Sequence, residues 1–258
     1  VSRSGRKGFL FLALVPAVTF GWLLTLAPQP LGAHPLVEEH RWIDGLGLHL
    51  TLQLDGVRWL FALVVSGIGA LVLAYCAWYF RAGERDLPRF AVTFVSFAGA
   101  MLGLVLAENL IALYVFWEAT TVLSFLLIGH NPERRANRQA AMTALIVTTF
   151  GGLAMLGGIL LLGASVGSFE VADLLAAPPT GTTASVAAVL LLVGALSKSA
   201  IVPFSFWLPG AMAAPTPVSA FLHAAAMVKA GIFLVALLAP AFADDPVWQG
   251  VLIALGAA

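Results

Sequence analysis

The sequence predicts an all-α polytopic membrane protein, a bundle of transmembrane helices, and its composition is the first reason. Of its 258 residues, 60% are hydrophobic and only 10% are charged, with a mean hydropathy of +0.97. A water-soluble domain could not bury so much apolar surface in its core. No long polar block interrupts the apolar runs, so we expect residues 1–258 to form a single transmembrane domain.

The lengths of the apolar runs are the second reason for this fold class. About 20 apolar residues are needed to cross a hydrocarbon core roughly 30 Å thick. The sequence stops inside an apolar run and begins at Val1, which is typical of a fragment of a longer subunit. Seven runs reach the spanning length and an eighth begins, so we predict helices at residues 8–27, 57–80, 89–107, 109–129, 138–163, 184–208 and 217–239, with a partial one at 247–258.

The charged residues are the third reason, because they follow alternate connections between the predicted helices. By the positive-inside rule, the arginine-rich connections are cytoplasmic and the acidic connections lie outside. An alternative interpretation is that residues 1–32 are a signal peptide, although their apolar run is longer than the usual length of roughly 7–15 residues. Nine of the thirteen basic residues define the cytoplasmic side: Arg3, Arg6, Lys7, Arg81, Arg85, Arg89, Arg134, Arg135 and Arg138.

The connection between the first two predicted helices contains a short β element. Leucines alternate with other residue types from residue 46 to residue 54. This strict period of two predicts a strand or hairpin on the outer surface. Glu108 falls at the boundary between two predicted helices, where we expect a solvated end charge.

Small residues crowd one predicted helix, with Gly151 and Gly152 followed by a second glycine pair. Small residues let helix backbones approach closely within a membrane bundle. We therefore assign these glycines to helix packing and to no chemistry.

Three ionisable residues, Glu118, Lys198 and Lys229, lie near the middle of predicted spans. At a rise of about 1.5 Å per residue, all three are too deep for their side chains to reach the membrane surface easily. A charge at that depth costs about 2.5–3.5 kcal/mol, and such residues commonly line ion or proton pathways. The alternative is a structural ion pair of Glu118 with Lys198 or with Lys229.

Two further residues accompany these charges. Pro203 follows Lys198 by five positions and has no N–H for the carbonyl of Ser199, so it predicts a broken helix beside a wet cavity. His223 shares a predicted span with Lys229, and its ordinary pKa range suits a proton relay. A histidine in that place can also serve only as a hydrogen-bonding partner for a neighbouring helix.

The segments around these residues resemble the proton-translocating antiporter superfamily, which includes antiporter-like subunits of respiratory complex I and the large subunits of Mrp-type Na⁺/H⁺ antiporters. The DG...LF pattern at residues 55–61 extends the resemblance toward the N-terminus. The two main segments are YVFWEATTVLSFLLIG (114–129) and GALSKSAIVPFSFWLPGAMAAPTPVSAFLHAAAMVKAG (194–231).

Within that superfamily, the sequence is most similar to the A subunit of Mrp-type antiporters. The L-type subunit of complex I usually lacks a lysine at the position of Lys229. Three segments favour the Mrp assignment: GIGALVLAYCAWYF (67–80), SFLLIGHNPERRANRQAAMTALIVTTFGGLAMLGG (124–158) and MVKAG (227–231).

The resemblance implies a membrane subunit of a multisubunit cation/proton antiporter in a bacterial plasma membrane, exchanging cytoplasmic Na⁺ for external H⁺. Glu118 and Lys198 would be the proton-handling pair, with Lys229 and His223 continuing a central hydrophilic axis, and Lys198 would lie on a helix broken near Pro203. Its partners would be other membrane subunits, the two transported ions and the lipid bilayer. The resemblance also implies one more helix before the first one predicted here and several beyond residue 258, including a second broken helix with its own key charge.

The main alternative is an antiporter-like, proton-pumping subunit of a complex I type NADH:quinone oxidoreductase or of a membrane-bound hydrogenase. For the antiporter we expect a secondary transporter subunit and not an enzyme, because the sequence has no nucleotide-binding loop or nucleophile constellation. Membership of a redox-driven complex would leave that question open. The formal net charge of zero argues against nucleic acid as a partner. The single Cys76 excludes a disulfide within the chain. We expect no cofactor, and the residues do not indicate where a metal ion binds.

Overall fold

The computed structural model describes residues 7–27, 35–43, 48–81, 84 and 86–257, which form a helical bundle with one β-hairpin. A 3₁₀ turn forms at Phe204–Phe206 and a π-helix at Ala220–Ala225. The α-helices are α1 (Gly8–Thr25), α2 (Gly56–Tyr79), α3 (Leu87–Leu106), α4 (Leu110–Ile128), α5 (Arg135–Val166), α6 (Val171–Ala176), α7 (Thr182–Lys198), α8 (Trp207–Ala211), α9 (Thr216–Ser219), α10 (Met227–Leu238) and α11 (Pro246–Gly256).

The predicted bundle of transmembrane helices is confirmed. Within the described chain, α1 to α5 and the combined stretch Thr216–Leu238 are long and apolar enough to cross a membrane, while α7 and α11 are shorter apolar helices. Side-chain caps help to define where some helices begin, since Asp55, Asn109 and Asp245 each accept hydrogen bonds from the first turn that follows. Helices α1 to α5 each pack against the next in sequence, α5 also packs against α7, and α10 returns to contact α3, α4 and α7.

The predicted helix at 184–208 ends ten residues early. The structure confirms a break near Pro203, but α7 already ends at Lys198, and Ala200 adopts a left-handed backbone with φ 53°. The prediction was that Pro203 interrupts a helix that continues on both sides of it. In the structure the helix has already ended before Pro203 is reached. The break places the end of α7, and with it Lys198, inside the bundle.

The predicted β element is one half of a hairpin. Strand β2 (Leu48–Leu54) carries most of the alternating leucines and pairs in antiparallel fashion with β1 (Leu36–Ile43). Residues 44–47, including the first of those leucines, lie outside the described residues. The alternation revealed the second strand, whereas β1 contains charged residues and shows no such pattern.

Connections that alternate along the sequence meet at opposite ends of the bundle. At one end, Leu52 of the hairpin forms a β-bridge with Ala107, in the connection between α3 and α4. The connection that follows α5 forms a second β-bridge with the same α3–α4 connection. At the other end, the backbone N–H of Thr216 donates to the hydroxyl of Tyr79, at the end of α2, over 3.3 Å. The alternation on which the predicted topology rests is therefore confirmed, while the assignment of one end to the cytoplasm stays a prediction.

Glu108 is not a solvated end charge, and that prediction is wrong. Its side chain is only 4% exposed and forms an ion pair with Arg58 of α2, whose other terminal nitrogen lies 2.6 Å from Asp55. The Glu108 carboxylate also accepts from the N–H of Ala172 at 2.6 Å, and its own N–H donates to the carbonyl of Thr51 at 2.9 Å. Burial raises the pKa of the Glu108 carboxyl, and the Arg58 guanidinium partly opposes this shift. Glu108 thus ties α2, α6 and the hairpin together.

His130 lies just after α4, at the opposite end of the bundle, and is 6% exposed. Its ring packs edge-on against Phe90 at a centroid distance of 5.1 Å. Burial lowers the pKa of this histidine, more than the nearby acidic residues Asp86 and Glu84 raise it. The folded chain therefore favours the neutral imidazole.

We expect this histidine to make the fold less stable in mild acid. Because its pKa is lower in the folded state, the unfolded chain binds more protons, and the free energy of unfolding falls as the pH drops below about 6.5, the ordinary value. His130→Gln cannot take up that proton, so its thermal midpoint in detergent should fall less between pH 7.5 and pH 5 than that of the wild type. Equal pH dependence of the two proteins would contradict this prediction.

Candidate functional site

Lys198, the last residue of α7, is fully buried and held by atoms of α4. Its exposed fraction is 0%. The ammonium donates to the carbonyl of Trp117 at 2.8 Å, to Thr120 Oγ1 at 2.7 Å and to Thr121 Oγ1 at 2.9 Å. It also lies 4.8 Å from the centre of the Trp117 indole ring, close enough for a cation–π interaction. All three N–H groups of the ammonium are therefore satisfied by neutral partners.

Glu118 follows Trp117 on the same helix, but its carboxylate lies against α5. A Cβ added at Gly152 would stand 2.0 Å from Glu118 Oε1. That oxygen is buried and accepts no hydrogen bond from any residue that the structure describes. A buried carboxylate oxygen without a partner is costly. It therefore marks a place where a proton or a water molecule can be bound.

The structural ion pair that the sequence analysis kept as an alternative is not present. No described acidic side chain lies within ion-pair distance of Lys198 or of Lys229. Glu118 and Lys198 are neighbours through Trp117, so each charge acts on the other through space and not through a direct bond. This spacing lets either group change its protonation without breaking a salt bridge.

The glycines of α5 do more than bring helices together. A Cβ at Gly151 would lie 1.7 Å from the Ser197 hydroxyl, and one at Gly152 would overlap the Glu118 carboxylate. Adjacent positions of α5 therefore accept one polar side chain from α7 and one from α4. These glycines were predicted to serve helix packing alone, and their contacts with Ser197 and Glu118 show a second role.

His223 lies in the π-helix and reaches the same region through Trp207. Its ring is 8% exposed, and neither ring nitrogen has a hydrogen-bond partner within the described chain. The Trp207 ring meets it edge-on at 6.2 Å, and the Trp207 indole N–H donates to the carbonyl of Ser197 at 2.9 Å. Trp207 thus connects His223 with the residue preceding Lys198.

Lys229 is the predicted residue that the structure does not bring to this cluster. It lies on α10 and is partly exposed. Its ammonium makes no hydrogen bond or ion pair with the residues that the structure describes. Its place in the predicted axis stays a prediction.

Sequence reasoning missed several residues of the site. Thr120 and Thr121 follow Trp117 by three and four positions, a spacing that puts their hydroxyls beside the Trp117 carbonyl, so the helical period could have revealed them. Trp207 carried no comparable signal, because its contact depends on how the chain folds back after α7. The π-helix and the interruption at Ala226, with φ −121° and ψ −74°, also have no signature in residue type.

Two family profiles match the sequence. The one described as "NADH:quinone oxidoreductase/Mrp antiporter, TM" covers residues 107–258 and therefore the whole site. The one described as "NADH-Ubiquinone oxidoreductase (complex I), chain 5 N-terminus" covers residues 42–91, which include part of the hairpin and α2.

Curated relatives are similar along nearly the whole chain. A probable K(+)/H(+) antiporter A/B subunit of Rhizobium meliloti (strain 1021) is 46% identical over 256 residues, which are 95% of this chain and 25% of that protein. The A1 subunit of a Na(+)/H(+) antiporter of Staphylococcus aureus is 43% identical over 241 residues, covering 92% of this chain and 30% of the relative. The chain therefore spans between a quarter and a third of the length of these relatives.

Two solved structures have the same fold. A chain of the Mrp complex from Dietzia sp. DQ12-45-1b superposes with a TM-score of 0.87 at 39% identity, over 97% of this chain and 27% of that one. A chain of an archaeal membrane-bound sulfane sulfur reductase superposes with a TM-score of 0.83 at 22% identity, over 97% of this chain and 51% of that one. The second likeness shows the fold alone.

Proposed function

This chain belongs to the NADH:quinone oxidoreductase/Mrp antiporter transmembrane family, and we propose that it works in a membrane subunit of a multisubunit monovalent cation/proton antiporter. It is a multi-pass protein of a bacterial plasma membrane. In this proposal other membrane subunits assemble with it, and the complex exchanges Na⁺ for H⁺. The identity to the A-type antiporter subunits, 46% and 43%, supports this assignment.

The observation that carries the proposal is the setting of Lys198. A fully buried ammonium that has only neutral hydrogen-bond partners and a through-space carboxylate can lose its proton without breaking a direct ion pair. A lysine that serves only structure would instead be expected in a direct ion pair. We propose that Lys198 binds and releases the transported proton and that Glu118 modulates its protonation.

The proposal extends to His223 and, further along, Lys229. The free ring nitrogens of His223 and its link to Ser197 through Trp207 support a relay from Lys198 toward α10. Water molecules would complete that relay, because no direct hydrogen bond joins His223 to Lys198 within the described chain.

A redox-driven proton pump is the second candidate, since the fold also occurs in the archaeal sulfur reductase. Its identity of 22% is well below the 39% of the Mrp chain, so the antiporter is the better supported of the two. The candidates differ in what drives the proton. An antiporter dissipates a pH gradient when Na⁺ is added, whereas a pump requires an electron donor.

We expect Lys198→Met to abolish cation-dependent transport, because it removes the amine that would carry the proton while keeping a similar side-chain volume. The assay is the collapse of an imposed pH gradient in everted vesicles that contain the assembled complex, with Na⁺ and K⁺ added in separate runs. Including K⁺ is informative because the Rhizobium relative bears a K(+)/H(+) name.

The matched control is Lys7→Ala, since Lys7 lies on the surface at the start of the bundle, and it should leave transport unchanged. Wild-type rates from assembled Lys198→Met would overturn the role of this lysine. If Lys198→Met lost assembly while Lys7→Ala kept it, an inert scaffold with a structural lysine would be the better description.

A further inference from the structure

The ammonium of Lys198 is bound by two adjacent hydroxyl groups. Thr120 and Thr121 are both 0% exposed, and their oxygens lie 2.7 and 2.9 Å from Lys198 Nζ. Each hydroxyl is also placed to donate its own hydrogen to the carbonyl of Trp117, at 2.7 Å for Thr120 and 3.2 Å for Thr121. While Lys198 is charged, both hydroxyls accept from the lysine, and Thr120 makes the shorter of the two bonds to the carbonyl of its own helix.

A hydroxyl can reverse its role, and this distinguishes it from the alternative partners of a lysine. A carboxylate only accepts when it is ionised, and a backbone carbonyl always accepts, whereas a threonine hydroxyl can accept or donate by rotating its hydrogen. A neutral amine has one lone pair that needs a donor. A hydroxyl beside Lys198 can supply that donor as soon as the proton has left.

We propose that Thr120 and Thr121 are positioning residues that keep Lys198 hydrogen-bonded in both protonation states, an inference that rests on the proposed function. When Lys198 is charged, its three N–H groups are satisfied by the Trp117 carbonyl and the two hydroxyls. When it is neutral, one hydroxyl turns and donates to its lone pair. The proton then moves on and off without leaving a buried polar group unpaired, which would otherwise cost free energy.

The geometry points to Thr121 as the hydroxyl that turns. Its bond to the Trp117 carbonyl is 3.2 Å long, compared with 2.7 Å for Thr120. Since the longer bond is the weaker one, less is lost when Thr121 redirects its hydrogen toward Lys198. Thr120 then keeps its bond to the helix and maintains the position of the amine.

The test replaces each hydroxyl with a methyl group of similar size, as Thr120→Val and Thr121→Val, and measures the pH profile of transport by the assembled complex in everted vesicles. Each valine removes an acceptor for the ammonium, so loading the lysine requires a higher proton concentration. We expect the limb of the profile that depends on Lys198 to move to lower pH by roughly one unit in Thr120→Val. The shift should be smaller in Thr121→Val, because Thr121 also donates to the neutral amine and its loss therefore destabilises both protonation states. Thr121→Ser restores the hydroxyl and should restore the wild-type profile.

Thr148→Val is the matched control. Thr148 is also 0% exposed, but its hydroxyl bonds only within α5, to the carbonyl of Ala144 at 2.7 Å and more weakly to that of Leu145. A loss of helix stability alone would lower transport equally at every pH, in all three valine variants.

Three outcomes overturn the inference and leave the proposed function standing. The first is an unshifted profile in Thr120→Val while Lys198→Met is inactive. The second is a shift in Thr121→Val as large as that in Thr120→Val, and the third is a shift of that size in Thr148→Val. If a valine variant does not assemble, the alanine and serine variants at position 121 are compared, and identical profiles from these two also overturn it. By contrast, normal transport by Lys198→Met would overturn the proposed function itself.

Discussion

Alanine in place of Gly152 is expected to lower cation/proton exchange by roughly tenfold to a hundredfold, a range typical of a catalytic group displaced by about 1 Å. The added Cβ would stand 2.0 Å from Glu118 Oε1 and 3.1 Å from the carboxyl carbon of Glu118. Either the Glu118 carboxylate or the backbone of α5 must therefore move. The carboxylate is the end of a flexible side chain, and it should shift while α4 and α5 stay in place. Transport would then fall although the complex still assembles. Exchange rates in everted vesicles and the amount of assembled complex are measured together.

Two further variants show whether the carboxylate is the cause. Glu118→Asp shortens the side chain by one methylene, so the double variant with Gly152→Ala should recover part of the lost activity. Gly157→Ala is the matched control, because its added Cβ would lie 3.6 Å from the nearest atom, a side-chain carbon of Leu190, at ordinary contact distance. If Gly152→Ala exchanged ions at the wild-type rate, the position of Glu118 would be unimportant for transport.

Removal of Glu108 is expected to have the second largest effect, this time on stability. Glu108→Ala leaves the guanidinium of Arg58 buried and joined only to Asp55 among its acidic partners, and breaking a buried pair in this way costs about 3 kcal/mol. For a protein of this size the thermal midpoint should fall by about 6–12 °C. The midpoint is followed in detergent by the loss of helical circular dichroism or by tryptophan fluorescence.

A double variant separates the charge from the packing. Replacing both partners with apolar residues, as Arg58→Met with Glu108→Leu, leaves no buried ion without a partner, so it should be more stable than Glu108→Ala. Asp55 loses its arginine, but its side chain is partly exposed to water and still accepts from the backbone N–H of residue 58. Glu133→Ala is the control, since Glu133 is exposed in the connection before α5 and should leave the midpoint unchanged. If the double variant were as unstable as Glu108→Ala, lost contacts and not the unpaired arginine would explain the effect.

Most of the fold could be predicted, because a membrane span needs a long apolar run that is visible in a single sequence. The predicted helix at 109–129 corresponds to α4, and the predicted helix at 57–80 corresponds to α2. The end of α7 was misplaced because Ala200 and its neighbours are as apolar as the helix before them. Hydropathy cannot distinguish a helix from an irregular backbone that protein surrounds.

The site could be predicted only in part, for a related reason. Glu118 and Lys198 stand out because charge at depth is costly, but the partners of Lys198 are uncharged and do not stand out. Glu108 was predicted to be solvated because it lies at the boundary between two predicted spans. It is instead buried beside Arg58, which is fifty residues away in the sequence. Contacts between distant segments decide these features, and composition does not report them.

The break after α7 also determines how Lys198 can move. Beyond the end of the helix, the Ser199 hydroxyl donates to the carbonyl of Val228 at 2.7 Å, and α10 comes so close that a Cβ at Gly231 would stand 2.1 Å from the carbonyl of Ala195. The backbone on both sides of Lys198 is therefore clamped to α10. The Cα of Lys198 is therefore held in place, and its ammonium can move only by rotation about the bonds of its four methylene groups. Sliding of α7 along its axis is not needed for that movement.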